Sequence, residues 1–338
     1  MQRFSYVRPK SVEDALAAFA AAGPAARYIA GGTTLYDLMK LNVERPHAII
    51  DVTAIQALGE VNTSGEVLRF GALATMSAVA TDQTVSRDYP VLAEALWKAA
   101  SQQLRNMATV GGNLLQRTRC MYFRNGASGV STGNAYPCNK REPGSGCAAI
   151  GGLDRGQAVL GQSSACTAVS PGDWPVALMA MDASVEVQSF QGKRSLRLVD
   201  LYRLPGSTPH LEFTLKPEEI ITAIIVPKSA LGKRSTYHKI RDRESYAFAL
   251  ASAAVALELE GQLVRQARIA LGGVATRPWR SVVAERSLIG RRLTPETALA
   301  AGRAAFAGAK AGRHNAYKIE LGARTVADAL LLASQRPA

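Results

Sequence analysis

The chain has 338 residues, 47% of them apolar and 20% charged, with a formal net charge of +13. This length exceeds what one core usually sustains, so two or three domains are expected, and the composition excludes the disordered and fibrous classes. No apolar run reaches the length of a membrane span and Met1 to Tyr6 holds no signal-peptide core, while the cations are dispersed from Arg3 to Arg336 with no run of five, which favours a soluble chain docked on an acidic protein partner over a nucleic-acid binder.

Met1 to Tyr6 is expected to lead directly into a helix opened by Ser11, with Asp14 as reciprocal capping partner and an apolar face of Leu16, Phe19 and Ala20 ended by Gly23-Pro24. A short strand, Arg27-Tyr28-Ile29-Ala30, then runs into Gly31-Gly32-Thr33-Thr34, followed by helical spacing at Leu35, Leu38 and Met39 and a strand over 48–52. Strand, glycine turn, helix and strand in succession free backbone N–H groups beside two hydroxyls, a good cradle for a diphosphate. As an isolated signal such a turn is weak, because plain turn chemistry uses the same residues.

Strand-like Glu66 to Phe70 precedes a helix entry near Thr75, and a long amphipathic helix is expected from Tyr89 to Met107, with Leu92, Leu96 and Ala99 on one side. It delivers the chain to a second such turn, Thr109-Val110-Gly111-Gly112-Asn113-Leu114. Two turns of this kind in one chain point to a single extended diphosphate ligand taking donors from both sides.

All four cysteines, Cys120, Cys138, Cys147 and Cys166, fall in one 47-residue window that follows, spaced C-x17-C-x8-C-x18-C. That is too loose for a zinc ribbon, which needs two thiolates on one turn. The material between them, such as Gly126-Ala127-Ser128-Gly129 and Glu142-Pro143-Gly144-Ser145-Gly146, carries no apolar period, and a structureless loop of that length is uncommon unless something pins it. Buried bystander thiols, two disulfides, a zinc ion or an iron–sulfur cluster are the possibilities. The surrounding charge favours the cluster: Arg105, Arg117, Arg119, Arg124, Lys140, Arg141 and Arg155 stand against only Glu142 and Asp154, and a four-thiolate cluster is a buried anion that nearby cations stabilise.

Ser170-Pro171-Gly172-Asp173 follows, with Asp173 placed to cap a helix bearing Pro175, Leu178 and Met181. Strands are expected over 184–190 and 194–199 in hairpin fashion and over 219–226, then a polar boundary at 227–234. Beyond it, 236–240, 247–259 and 263–273 read as a small antiparallel sheet, and helices near 280–289, 295–309 and 324–333 close the chain. Gly144-Ser145-Gly146-Cys147-Ala148-Ala149 matches the dinucleotide fingerprint but lacks a feeding strand, so it is rejected. No Walker loop, zincin or nucleophile-elbow motif occurs, and His47, His210, His238 and His314 stand apart from any carboxylate pattern. No catalytic constellation is found.

These residues resemble the FAD-binding medium subunits of the molybdenum hydroxylases, the xanthine dehydrogenase and carbon monoxide dehydrogenase group, over nearly the whole chain. The two glycine turns carry the resemblance, with Ser170 to Asp173, Tyr237-His238-Lys239-Ile240-Arg241 and Asn315-Ala316-Tyr317-Lys318-Ile319. The cysteine-bearing insert, through Cys138-Asn139-Lys140-Arg141 and Pro143 to Cys147, is closest to the aldehyde oxidoreductase flavin subunits that also hold a [4Fe-4S] cluster. In place of the Cys-Pro-Tyr-Phe usual there, this chain has Cys120-Met121-Tyr122-Phe123.

The resemblance implies an α+β, vanillyl-alcohol-oxidase-type fold. A small parallel α/β subdomain would occupy 1–55 and a larger, mainly antiparallel one 56–228, with the insert at about 115–168; a sheet-and-helix domain would occupy 235–338. It implies FAD held by Arg27, Ile29, Ala30, Gly31, Gly32, Thr33, Thr34 and Leu35 on one side and Thr109, Gly111, Gly112 and Asn113 on the other, with Asp173 also binding the cofactor and Ile224 and Lys239 contacting the ring. A [4Fe-4S] cluster on Cys120, Cys138, Cys147 and Cys166 would serve as an electron exit or a brace. The partners implied are a large molybdenum-cofactor subunit, a small subunit with two [2Fe-2S] clusters and an external electron acceptor; substrate chemistry, on an aldehyde, would belong to the large partner. The alternatives are a flavin subunit for xanthine, another heterocycle or an aromatic-CoA substrate, or a stand-alone flavin oxidase, for which no acid–base constellation is seen. A cytoplasmic place is expected, or a periplasmic one if a signal-bearing partner carries the chain across.

Overall fold

The structure, a computed structural model, describes residues 1–125 and 135–337; the Gly126 to Gly129 stretch lies outside the described residues. Three sheets organise the described residues. The first is parallel and three-stranded, in the order β1-β3-β2, from β1 (Ser5–Val7), β2 (Ala26–Ile29) and β3 (Ala48–Asp51). Helix α1 (Val12–Ala22) covers it, burying Leu16 and Phe19, and Ser11 caps it by accepting from the Asp14 N–H at 3.1 Å. That cap runs one way: Asp14 lends its N–H, and its carboxylate makes no return bond to Ser11 among the described residues. Strand β1 replaces the expected direct run into α1. All three of its residues are exposed, so no apolar alternation announces it. Helix α2 (Leu35–Lys40) links β2 to β3.

The second sheet is antiparallel, in the order β4-β5-β8-β6-β7, from β4 (Val61–Asn62), β5 (Val67–Gly71), β6 (Ser184–Ser189), β7 (Gly192–Arg197) and β8 (Ile220–Pro227). Its helices are α3 (Met76–Thr81), α4 (Gln83–Asp88), α5 (Pro90–Trp97), α6 (Gln102–Met107), α7 (Val110–Leu114), α8 (Met121–Arg124), α9 (Trp174–Ala180) and α10 (Leu198–Leu201). The single helix expected from Tyr89 to Met107 is thus two. Ala100 turns to φ +50° between them, Ser101 caps α6 through the Leu104 N–H, and Arg105 donates to the carbonyls of Trp97 and Ala99. A left-handed alanine costs about 1–2 kcal/mol, which the buried guanidinium and its two carbonyl bonds offset.

The third sheet runs β12-β11-β10-β9, from β9 (Ser235–Ile240), β10 (Ala251–Glu260), β11 (Leu263–Gly272) and β12 (Trp279–Arg280). Alternation along β10 fixes its packing. Ala254 and Ala256 join the core of the second unit, while Ala253, Val255 and Leu257 face the closing helices α11 (Val282–Leu288), α12 (Pro295–Ala305) and α13 (Tyr317–Ser334). Helix α13 starts seven residues before its sequence signal at Arg324, because its first turn carries a buried cation. Lys318 donates to the carbonyls of Leu250 at 2.9 Å and Gly273 at 2.7 Å, clamping the helix to the sheet. No helix among the described residues is long and apolar enough to cross a membrane.

Burial lowers the Lys318 ammonium from 10.5 to about 8. Between those values the unfolded chain binds more protons than the folded one, so stability rises with pH there. Over the first pH unit above 8 the gain should be about 1 kcal/mol, because one proton held by the unfolded state alone is worth about 1.4 kcal/mol per pH unit. Melting temperature followed from pH 7.5 to 9 should rise in the parent and lose that component in Lys318→Met. The same slope in both proteins would remove Lys318 as its source.

Candidate functional site

The two glycine turns lie against each other. A Cβ on Gly31 would fall 1.8 Å from the carbonyl oxygen of Met107 and 3.2 Å from the Cα of Ala108, so the first turn rests directly on the backbone that enters the second. Gly32 has room for a Cβ but sits at φ +72°, which favours glycine for its conformation rather than its size. Among the described residues, the N–H groups of Gly31, Gly32, Thr33 and Thr34 and the two threonine hydroxyls have no protein acceptor. They are free for a ligand.

The second turn works differently from the expectation that both would offer N–H groups. Its donors are already used: Val110 to Ala74 O, Gly111 to Ala72 O, Gly112 to the Thr109 hydroxyl and Asn113 to Thr109 O. The first two bonds pin the turn to the chain leaving β5, and the last two close it on Thr109. What it presents instead is the side chain of Asn113, which among the described residues has no partner for its buried Oδ1 and only the Met76 sulfur, at 3.5 Å, for its Nδ2. A buried amide oxygen left unpaired is costly, and a ligand hydroxyl or N–H would relieve it.

Between the turns opens a cavity of about 1540 Å³, beyond the roughly 300–1,000 Å³ of ordinary small-ligand sites. Arg27, Ile29, Ala30, Gly31, Gly32, Thr33, Thr34 and Leu35, then Thr109, Gly111, Gly112, Asn113, Asp173 and Lys239, all line it. Ile224 does not. It is fully buried in the core, paired with Phe70 and Val185. Its neighbours Ile220 and Ile221 line the cavity instead, earlier on the strand, where a bulge at Thr222 breaks the alternation of β8. Met76 of α3 and Leu104 and Met107 of α6 add apolar lining.

At the cavity floor Lys239 and Asp173 form a buried ion pair at 2.8 Å. Tyr237 donates to the other Asp173 oxygen at 2.6 Å, and Lys239 also donates to the Lys98 carbonyl. Asp173 precedes α9 but makes no side-chain cap; its oxygens are committed to Lys239 and Tyr237. Burial pushes the Asp173 carboxyl above its ordinary value in spite of Lys239, and lifts the Tyr237 phenol well above its own. The floor therefore presents a fixed, charge-balanced ion pair whose ammonium is a hydrogen-bond donor at the cavity lining.

The cysteines are all free, and all four line one small cavity of about 10 Å³ with Tyr122, Phe123, Lys140 and Gln157. Cys138 and Cys147 form an antiparallel bridge, Asn139 closes that turn through Gly146, and Gln157 approaches the Cys120 sulfur at 3.4 Å. Burial raises the Cys120 thiol and pushes Cys166 up to about 11. Among the described residues no three Cys, His, Asp or Glu side chains converge as ligands of one ion. The cations around the insert are not spare, as a count of nearby charges implies. Arg117 and Lys140 share Glu212, Arg119 and Arg124 share Asp37, and Arg155 pairs with Asp242. Among the described residues Arg141 donates only to carbonyls, those of Tyr122, Phe123 and Tyr136. His314, isolated in the sequence, pairs with Asp154 at 2.9 Å and ties the segment before α13 to the insert.

A cavity between two glycine turns, with free N–H donors, an orphaned amide and a buried lysine, defines a site for an extended diphosphate cofactor. The chain belongs to the molybdopterin dehydrogenase FAD-binding family: residues 2–229 match its FAD binding domain and 235–333 the carbon monoxide dehydrogenase flavoprotein C-terminal domain. It is 45% identical over 332 residues, covering 98% of both chains, to the aldehyde oxidoreductase FAD-binding subunit PaoB of Escherichia coli. It is 27% identical to the glyceraldehyde dehydrogenase medium chain of Sulfolobus acidocaldarius, over 87% of this chain and 83% of that one. Among solved structures it is similar to the carbon monoxide dehydrogenase of Hydrogenophaga pseudoflava, with a TM-score of 0.77, 26% identity and coverage of 100% and 99%. The residues present fit FAD, since the unpaired donors of the first turn suit a diphosphate and the cavity is large enough for an extended dinucleotide.

Proposed function

We propose that this chain is the FAD and iron–sulfur electron-transfer subunit of a molybdenum-dependent aldehyde oxidoreductase, working beside a large molybdenum-cofactor subunit and a small [2Fe-2S] subunit. The observation that carries the reading is the paired-turn cavity, in a chain nearly half identical to an aldehyde oxidoreductase flavin subunit. Gly31 to Thr34 would hold the diphosphate and Asn113 a neighbouring hydroxyl. Ile220 and Ile221 would exclude water from one side of the ring, and Lys239, fixed by Asp173, would stabilise added electron density there. Bound flavin supplies the conversion between paired and single electrons. Support for a [4Fe-4S] cluster comes from the donor set: four free thiols around one cavity, in an insert with little apolar core of its own. Ligands of a cluster bind different iron atoms, so they need not meet at one point.

The test is co-expression with the two partner subunits, followed by anaerobic addition of an aldehyde to the purified complex. The flavin band should bleach, iron should exceed that of the small subunit alone, and the isolated chain should not turn over. Aldehyde oxidation by the isolated chain, or a flavin-loaded monomer that never co-purifies with a molybdenum subunit, would overturn the reading in favour of a stand-alone oxidase.

A further inference from the structure

Between the flavin cavity and the cysteine cavity runs an unbroken chain of ion pairs. Arg27, at the start of the first turn's strand, meets Glu44 at 3.4 Å, and Glu44 is bound by Arg117. Arg117 reaches Glu212 at 2.6 Å, and the other Glu212 oxygen takes Lys140 at 3.0 Å. Arg27, Glu44 and Arg117 line the first cavity and Lys140 lines the second, two residues from Cys138. The side chains of Arg117, Glu212 and Lys140 are 19%, 16% and 10% exposed, so screening by salt is weak along the chain and the charge of Glu212, at its middle, is felt at both ends. Lys140 is further tethered to the Pro209 carbonyl at 2.9 Å, and the Arg117 guanidinium lies 4.6 Å from the centre of the Phe123 ring, which itself borders the cysteines. Glu212 is the centre of this arrangement, because it bonds both Arg117 and Lys140. Burial by itself would raise its carboxyl, yet Arg117 and Lys140 together hold it below the usual range, so it stays a carboxylate.

We propose that Glu212 is a positioning residue that holds Lys140 against the cysteine cavity and Arg117 against the flavin cavity, so that one buried carboxylate sets the local charge, and with it the reduction potential, at both. The inference rests on the cluster reading for its second half only. Reduction adds negative charge at either centre, and net charge around a centre is one of the controls on its potential. Taking away the carboxylate leaves two cations less compensated and favours the reduced form at both ends. Taking away Lys140 does the opposite at the cysteine end, where its ammonium lies.

The experiment is spectroelectrochemical titration of the purified complex, with FAD, iron and sulfide quantified in the same samples. Glu212→Gln, which keeps the shape, should raise the midpoint potentials of flavin and cluster together. Lys140→Met should lower that of the cluster and leave the flavin nearly unmoved, and Lys140→Arg should restore the parental value. Glu285→Gln, which disturbs the distant Arg280 pair, should move neither. Parental potentials in Glu212→Gln and Lys140→Met at full cofactor loading would overturn the proposal, as would a Glu212→Gln shift confined to one centre. A parent without cluster iron would defeat the cluster reading instead, and the flavin potential of Glu212→Gln would then decide the remaining half.

Discussion

Gly31→Ala is expected to empty the flavin site. The added methyl would lie 1.8 Å from the Met107 carbonyl oxygen, a contact with backbone on both sides that no rotamer change relieves. The two turns must then part, and the free N–H groups of the first move away from Asn113 of the second. Affinity should fall by at least about 1.4 kcal/mol, a factor of ten, and a complex purified through several columns should retain little flavin. Gly32→Ala is the comparison: its methyl meets only the Ile29 side chain at 3.5 Å, so the cost is the left-handed backbone alone, about 1–2 kcal/mol, shown mainly as a lower melting temperature of the flavin-free chain. FAD released by acid and measured by fluorescence separates the two. Full occupancy in Gly31→Ala would mean that the spacing of the turns does not hold the cofactor.

Cys147→Ser should remove the proposed cluster. Cys147 sits in the short bridge to Cys138 and borders the common cavity with Cys120 and Cys166, so its loss removes one of the four donors. Serine keeps the size but is a poor iron ligand at neutral pH, because a hydroxyl gives up its proton far less readily than a thiol. Iron and acid-labile sulfide beyond the small subunit's content should disappear. Protease sensitivity near 135–168 should increase, since bound metal supplies folding energy where a core is thin. Unchanged iron, or zinc in place of iron in anaerobically prepared parent complex, would sink the cluster assignment and leave the flavin site standing.

What can be read in the residues is local chemistry. Ser11 and the strand-to-helix sequence around Gly31 announce themselves because caps and glycine turns depend on neighbours within four positions. Strand β1 escapes because an edge strand exposed on both faces has no alternation to detect. The break at Ala100 escapes because its stabiliser, Arg105, acts through carbonyls rather than through a glycine or proline. Ile224 belongs to the right strand, but the bulge at Thr222 that decides which residues face the cavity is a property of pairing with β6. The ion pairs follow the same rule. Glu44, Asp37 and Glu212 lie 73, 82 and 95 positions from Arg117, Arg119 and Arg117 respectively, so a count of nearby charges leaves the cations of the insert apparently uncompensated.

The position of β8 has a consequence for how the molecule comes into being. It is the middle strand of the second sheet, pairing Ile224 with Phe70 across 154 positions and also bordering β6. Loop-closure entropy of that size makes such a pairing slow. During synthesis from the N-terminus, all four thiols emerge at least 54 residues before Ile220, so the cysteine-bearing segment emerges before the central strand of the second sheet and its cavity-lining Ile220 and Ile221. The order of synthesis thus leaves the four thiols a period of open access before the flavin cavity is complete, which assembly of the proposed cluster would use and which oxidants share. The nascent chain is most vulnerable at its cysteines while its central strand is still unmade.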